Sequence, residues 1–131
     1  MELIQDQGID LALIYQQERW QEGVHFLTPE KWSLQVGTWN HPIGKQLPLH
    51  KHQSTERRFD RTQEVIFVKT GKIELSIYTD NFCLVAKRVL TEGGIAVLAS
   101  GAHSYQILDE ETQILEIKNG PYLGDDKELP L

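Results

Sequence analysis

The 131-residue chain has little cysteine and no long run of apolar residues. Its one cysteine, Cys83, has no partner for an internal disulfide, and the sequence has no CxxC pair to hold a structural zinc ion. Its longest apolar stretches, such as Ile95 to Ala99, are far shorter than the roughly 20 residues that a membrane-spanning helix needs. These absences predict a soluble domain in a reducing, cytoplasmic compartment.

Positive charge is also scarce. Lys and Arg number 13 against 19 Asp and Glu, which gives a net charge of −6 and excludes a nucleic-acid backbone as the main partner. Near the N-terminus, Glu2, Asp6 and Asp10 stand where a secretory signal would carry basic and apolar residues. No P-loop, GxGxxG, GxSxG or HExxH motif is present, so phosphoryl transfer, nicotinamide binding and serine or zinc-protease hydrolysis lack their motifs. The expected partner is a small molecule.

The pattern of apolar residues predicts one all-β domain spanning residues 1–131. From about Trp32, short apolar or alternating segments are separated by turn residues, which is typical of a β-sandwich or barrel. Eight strands are predicted: Ser33–Trp39, Leu47–His52, Glu64–Thr70, Lys72–Tyr78, Phe82–Leu90, Ile95–Leu98, His103–Leu108 and Gln113–Lys118. The first thirty residues favour an edge strand and a covering segment.

Turn residues suggest how these strands connect. Thr70-Gly71 lies between two alternating segments and predicts a tight hairpin, and later turns extend the pattern to a meander. The segment Gln53–Gln63 is strongly charged and has no useful periodicity, so it is expected to be a surface excursion between two core strands.

Three residues suited to metal binding follow one another in this region. His50 and His52 are two residues apart in a predicted strand, so both imidazoles point to the same face. Taken alone, the pair also fits two surface histidines. Glu64, however, opens the next strand with the parity of Ile66 and Val68, which predicts an inward-facing carboxylate. Burying an unpaired charge costs several kcal/mol, and a divalent cation shared with neutral imidazoles offsets that cost.

These residues resemble the cupins, small antiparallel jelly-roll barrels that usually hold a metal ion. The first cupin motif is matched by Gly44, KQLPL, His50-Lys-His52, then Glu64, VIFVKT and Gly71. The second, a glycine-led apolar strand, a turn and a third histidine, is matched by Gly93-Gly94 to Gly101-Ala102-His103. The resemblance covers Trp32 to Lys118 and implies a cupin-type double-stranded β-helix with an N-terminal covering segment.

The chain departs from the cupin pattern in the spacer before the glutamate. Eleven residues separate His52 from Glu64 where the family usually has three or four, so Glu56 competes for the ligand role. Glu56 is followed by RRFDRT, which does not suit a buried strand, whereas Glu64 heads an apolar run that ends in a turn glycine. Glu64 is therefore preferred. The second motif also lacks its usual proline and is about one residue shorter before the histidine.

The resemblance implies a metal site formed by His50, His52, Glu64 and His103. Three imidazoles and one carboxylate suit a single divalent transition metal ion, and Fe, Mn, Ni, Co, Cu and Zn all remain open. Tyr105 has the strand parity of His103 and is a candidate catalytic residue, with a core tyrosine as the alternative. Three arginines of the charged excursion are candidates for contacts with an anionic substrate: Arg57, Arg58 and Arg61.

The tail from Glu116 to Asp126 resembles the cupin domains of bacterial phosphomannose isomerase–mannose-phosphate guanylyltransferases. The ERxxxRTQE pattern from Glu56 to Glu64 is similar to that of one-domain cupins from surface-polysaccharide contexts. These resemblances imply action on a small polar or anionic molecule, such as a sugar derivative, by metal-assisted isomerisation or oxygen chemistry. A non-catalytic sensor remains open, as does a metal-free sugar-nucleotide isomerase with His50 or His52 as the acid–base group and Glu64 orienting it.

A homodimer is also expected. Small barrels often bury an exposed β-edge by pairing subunits. Trp20, Trp32 and Trp39 favour covering one barrel end or a subunit interface over stacking on a ligand.

Overall fold

The computed structural model describes residues 1–124 and 126–129, so the tail that resembles other cupins is described except at position 125. Within these residues the fold is all-β, as the sequence predicts. Its strands are β1 (Glu2–Asp6), β2 (Ile9–Tyr15), β3 (Gly23–Phe26), β4 (Gly37–Asn40), β5 (Glu64–Thr70), β6 (Lys72–Tyr78), β7 (Leu84–Thr91), β8 (Ile95–Leu98), β9 (Ala102–Ile107) and β10 (Gln113–Lys118). No helix occurs in this part of the chain, and hence none long and apolar enough to cross a membrane.

The strands form two larger sheets and one small one. The first larger sheet has the order β1-β2-β8-β5-β10, the second has the order β7-β6-β9, and β3 pairs with β4. Both larger sheets contribute to one buried cluster, which includes Ile66 and Val68 from β5 and Ile73 and Leu75 from β6. The two sheets therefore face each other across a shared core. Over residues 1–124 and 126–129 they do not close into a barrel.

The turn at Thr70-Gly71 is in the predicted place, but the hairpin predicted around it is wrong. β5 pairs with β8 and β10, whereas β6 pairs with β7 and β9, so the turn carries the chain from one sheet to the other. Gly71 has a φ of 83°, and a Cβ at this position would collide with Thr112. Both strands bury their apolar faces in the shared core from opposite sides. Of the predicted meander, the antiparallel β6–β7 pair is present, whereas the connections from β7 to β8, β8 to β9 and β9 to β10 each cross between the sheets.

Most predicted strands are present. The bounds of β5, β6, β8 and β10 are those predicted, while β7 and β9 are displaced by one or two residues. The predicted strand Ser33–Trp39 is reduced to β4. The predicted strand Leu47–His52 is absent, because this segment has no neighbouring strand to pair with and Pro48 lacks a backbone N–H.

The N-terminal region is more regular than expected. β1 is an edge strand, but β2 lies inside the five-stranded sheet between β1 and β8. The covering role belongs to a later segment, in which Leu27 and Trp32 pack over Leu13, Val65 and Val97 on the outer face of this sheet. The five-stranded sheet is thus buried on both faces, which explains why β8 is apolar throughout.

Asp10 fastens this covering segment to the sheet. Its carboxylate accepts hydrogen bonds from Gln5 Nε2 at 2.6 Å and Trp32 Nε1 at 3.1 Å, and Lys31 Nζ lies 3.3 Å away. Its backbone carbonyl accepts a hydrogen bond from Ser100 Oγ at 2.6 Å. The bond from Gln5 outweighs the opposing effect of burial and, with Trp32 and Lys31, lowers the pKa of Asp10 below its ordinary value of 3.8.

We predict that Asp10→Asn lowers the free energy of unfolding at pH 7 by about 1–2 kcal/mol, because the amide replaces one charged acceptor with a donor. The carboxylate's contribution is complete above its unfolded pKa of 3.8 and is lost as the pH falls through the lower folded-state pKa. The deficit should therefore shrink in acid. Urea unfolding of both proteins at pH 7 and below pH 3.8 measures this. The exposed Asp109→Asn serves as the matched control, and a deficit that persists unchanged in acid would contradict the assignment.

Candidate functional site

The inner face of β9 carries two of the residues singled out from the sequence. In the antiparallel pairing with β6, His103 lies opposite Ile77 and Tyr105 lies opposite Leu75. Directly paired residues project from the same face of a sheet, and Ile77 and Leu75 belong to the buried cluster. His103 and Tyr105 therefore point into the space between the two larger sheets.

The facing sheet places charged groups in the same space. Glu64 starts β5 with the inward parity of Ile66, and β10 pairs with β5 so that Lys118 lies opposite Glu64 and Glu116 lies opposite Ile66. Three strands from two sheets thus bring their polar side chains together at one end of the core.

A cavity of about 1120 Å³ opens at this end, between β9 on one side and β5 and β10 on the other. Its lining includes Glu64, His103, Tyr105, Glu116, Lys118 and Tyr122. At the opposite edge of the core the sheets are tied together, because Arg88 of β7 makes an ion pair with Glu2 of β1. The space between the sheets is therefore open at the β9–β10 edge and bridged at the β1–β7 edge.

Glu64 and His103 form the centre of the site. Glu64 is buried, and its Oε2 lies 2.9 Å from His103 Nε2. Its other oxygen, Oε1, is also buried and has no hydrogen-bond partner within the described part of the chain. Lys118 Nζ lies 3.7 Å from Oε1, which is an ion-pair distance but too long for a hydrogen bond. Oε1 is therefore free to bind a proton donor or a cation.

Neighbouring groups set the charge of the two carboxyls. Burial opposes ionisation of Glu64, but the hydrogen bond with His103, the neighbouring Glu116 carboxyl and the charge of Lys118 outweigh it and lower its pKa to about 2. For Glu116 the direction is opposite, since the adjoining Glu64 carboxylate raises its pKa. Glu64 is thus the carboxylate of the pair, and Glu116 is the group that more readily holds a proton.

Tyr105 lies in the same cavity, as its strand parity predicts. The centroids of its ring and the His103 ring are 5.3 Å apart. Burial raises the pKa of Tyr105, and the nearby carboxylates Glu64 and Glu116 raise it further. The phenol is therefore held as a neutral O–H group, which can donate a hydrogen bond or a proton to a molecule bound beside His103.

The four expected metal ligands are not all together. No group of three or more His, Cys, Asp or Glu in the described ranges is close enough to hold a metal ion. His50 and His52 are exposed in the segment before β5, with ring centroids 5.3 Å apart, and His50 Nδ1 lies 3.0 Å from the carbonyl oxygen of Pro48. The set is thus divided into Glu64 with His103, and His50 with His52.

The charged excursion is exposed from Gln53 to Thr62, and its last residue, Gln63, is buried. Glu56 accepts a hydrogen bond from Arg58 Nε at 2.9 Å and lies in solvent, whereas Glu64 lies in the cavity. Arg61 Nη1 lies 3.8 Å from Oδ2 of Asp80, a residue of the cavity lining, so this arginine stands at the rim. Arg57 is exposed and does not line the cavity.

Glu116 and Lys118 line the cavity but are not among the site residues that the sequence predicts. The only available signal was their position in Gln113–Lys118, where alternate residues share a face. That signal becomes informative once β10 is known to pair with β5, because the pairing aligns both residues with Glu64.

Comparison with known proteins gives no relative: no protein-family model, no curated protein and no solved structure matches the chain.

Proposed function

We propose that this chain is a metal-binding protein of the cupin type, and that its cavity takes a small polar or anionic molecule such as a sugar derivative. The observation that carries the proposal is the buried Glu64 carboxylate, which has one oxygen on His103 and the other without a hydrogen-bond partner in the described residues, 3.7 Å from Lys118 Nζ. An ionised group buried in this way calls for a cation. The two facing sheets are the structural basis for proposing an incomplete jelly roll.

Two of the cavity residues offer donor atoms that suit a divalent transition metal ion. Glu64 Oε1 and the His103 imidazole are oxygen and nitrogen donors of the kind that Fe, Mn, Ni, Co, Cu and Zn accept. His50 and His52 would complete a set of three imidazoles and one carboxylate. Such an ion would supply Lewis-acid or oxygen chemistry to a ligand bound in the cavity.

The other cavity residues suit a polar molecule next to this centre. The Tyr105 hydroxyl remains protonated and donates to an oxygen of the bound molecule. The Lys118 ammonium provides a positive charge, and Glu116 holds or releases a proton at its carboxyl. Arg61, and Arg57 on the same excursion, are positioned outside the cavity, where guanidinium groups would meet an arriving anion.

We predict that Glu64→Gln and His103→Ala each weaken metal binding at least tenfold, because the first removes the charge of the carboxylate and the second removes an imidazole nitrogen. Isothermal titration of the purified protein with Zn²⁺, Mn²⁺, Ni²⁺ and Fe²⁺ measures the affinity, and elemental analysis gives the stoichiometry. Glu56→Gln is the matched control, since it makes the same chemical change on the exposed competitor and should leave the affinity unchanged. Loss of binding in Glu56→Gln but not in Glu64→Gln would show that the wrong carboxylate has been assigned.

A second function is favoured by the 2.9 Å contact between Glu64 and His103. A carboxylate that orients an imidazole is the arrangement of an acid–base pair, and the Tyr105 ring lies beside the imidazole, with the two ring centroids 5.3 Å apart. In such a metal-free isomerase the acid–base group is His103, whereas the sequence reading assigned that role to His50 or His52. Proton abstraction by His103 and proton donation by Tyr105 would then act on the same bound sugar.

Deuterium exchange separates these functions. In D₂O with a chelator, an acid–base pair should catalyse incorporation of deuterium into one member of a panel of sugar phosphates and nucleotide sugars. His103→Ala should then slow the exchange by about 100-fold or more. Exchange that requires added metal supports the metal centre. If the protein binds metal and a member of the panel but leaves that molecule unchanged, it is a sensor. This result would refute turnover.

A further inference from the structure

The segment between β4 and β5 is a long arm without a partner. The arm, residues 42–62, is exposed at every position except the half-buried Leu47. Ile43 and Leu49 are fully exposed, and Phe59 is 51% exposed. The arm pairs with no strand, and a hydrogen bond from Asn119 Nδ2 to the Arg61 carbonyl and the Arg61–Asp80 ion pair hold only its C-terminal end.

The two ends of the arm are firmly fixed to the domain. Before it, Asn40 donates a hydrogen bond to the Trp20 carbonyl. After it, Gln63 is buried and accepts hydrogen bonds from Ser33 and from the backbone N–H of Leu34. The arm therefore leaves and re-enters an ordered domain while its apolar side chains remain in water. Such apolar exposure is unfavourable and favours a covering partner.

The second sheet has a free strand edge that could pair with the arm. β9 pairs with β6 on one side, and its other edge has no strand against it in the described residues. Tyr105 and Ile107, on the inner face of β9, are 39% and 58% exposed because the space between the sheets is open here. The other edge of the same sheet, β7, is already bridged to the first sheet by Arg88 and Glu2.

The side chains of the arm alternate in a way that suits pairing with the free edge of β9. In an extended conformation His50 and His52 lie on one face of the arm, and Leu47, Leu49 and Lys51 lie on the other. Neighbouring strands are about 5 Å apart, and side chains opposite each other are similarly close. A strand on the edge of β9 with its histidines inward would therefore bring both imidazoles beside His103 and Glu64.

We propose that two copies of the chain exchange arms, so that residues 47–52 of each copy pair with the free edge of β9 in the other. In a single copy the arm pairs with no described strand while the outer edge of β9 stays free, and exchange satisfies both copies with one two-fold arrangement. The root of the arm supports this, because Val24, Phe26 and Trp39 of the β3–β4 hairpin present exposed apolar side chains there. Each metal site would then take Glu64 and His103 from one copy and His50 and His52 from the other, a consequence that rests on the proposed function.

Disulfide trapping tests the exchange without any metal. In a Cys83→Ser background, Lys51→Cys is combined in turn with Ala102→Cys, Ser104→Cys and Gln106→Cys, which lie on the outer face of β9. At least one combination should give a covalent dimer on mild oxidation. The control combines Lys51→Cys with Lys87→Cys on β7 and should give none.

Three results would overturn the exchange. They are a monomer by light scattering at micromolar concentration, a disulfide within a single chain by mass spectrometry, and a control that links as readily as the β9 combinations. An internal disulfide would show that the arm folds onto its own sheet.

Mixed dimers test the shared metal site. One chain carries His50→Ala and His52→Ala, the other carries Glu64→Gln and His103→Ala, and different affinity tags isolate the pair after co-expression. With exchanged arms the mixed dimer holds one intact ligand set, so it should bind half as much metal as the wild-type dimer. Without exchange no set is intact and binding is lost. If the wild-type protein binds no metal, the proposed function fails, whereas the disulfide result still decides the exchange.

Discussion

The buried carboxylate of Glu64 is the constraint on which the site depends. One of its oxygens is bonded to His103, while the other has no hydrogen-bond partner in the described part of the chain. Removing an ionised carboxylate from water costs several kcal/mol unless other groups offset the loss. His103, Glu116 and Lys118 provide part of that compensation, and they come from two further strands. A polar group of this kind cannot be packed over by apolar side chains, so the two sheets stay apart here and a cavity remains.

The same constraint divides the space between the sheets into two regions. Towards β1 and β7 the core is apolar, and the Arg88–Glu2 ion pair bridges the sheets. Towards β9 and β10 the space is polar and open. Five strands on one side face three on the other, so the second sheet ends early at the β9 edge, next to Glu64 and His103. An unpaired strand edge leaves backbone N–H and C=O groups without partners and readily accepts another strand. His50 and His52 lie on the arm, residues 42–62, which pairs with no strand in the described part of the chain.

Particular residues show which parts of the fold and of the site can be predicted from the sequence. The bounds of β5, β6, β8 and β10 followed from alternation and turn glycines, which are properties of a few consecutive residues. Thr70-Gly71 marked a reversal of the chain but not the edge on which the next strand would pair, so the predicted hairpin was wrong. Leu47–His52 has the alternation of a strand, yet a strand needs a neighbouring edge, and this segment has none. Glu116 and Lys118 could not be assigned to the site, because their relation to Glu64 arises from a pairing between strands about fifty residues apart.

The sequence by itself determined that Glu64, His103 and Tyr105 start or occupy strands with inward parity, because the alternation of side chains in a strand repeats every two residues and needs no distant contact. Tertiary structure alone decided that these three residues meet Glu116 and Lys118 in one cavity, and that His50 and His52 stay outside it in the single chain. The physical reason is that strand pairing is chosen by the burial of whole faces. The favourable free energy of strand pairing comes from contacts across both larger sheets, so no local segment determines it.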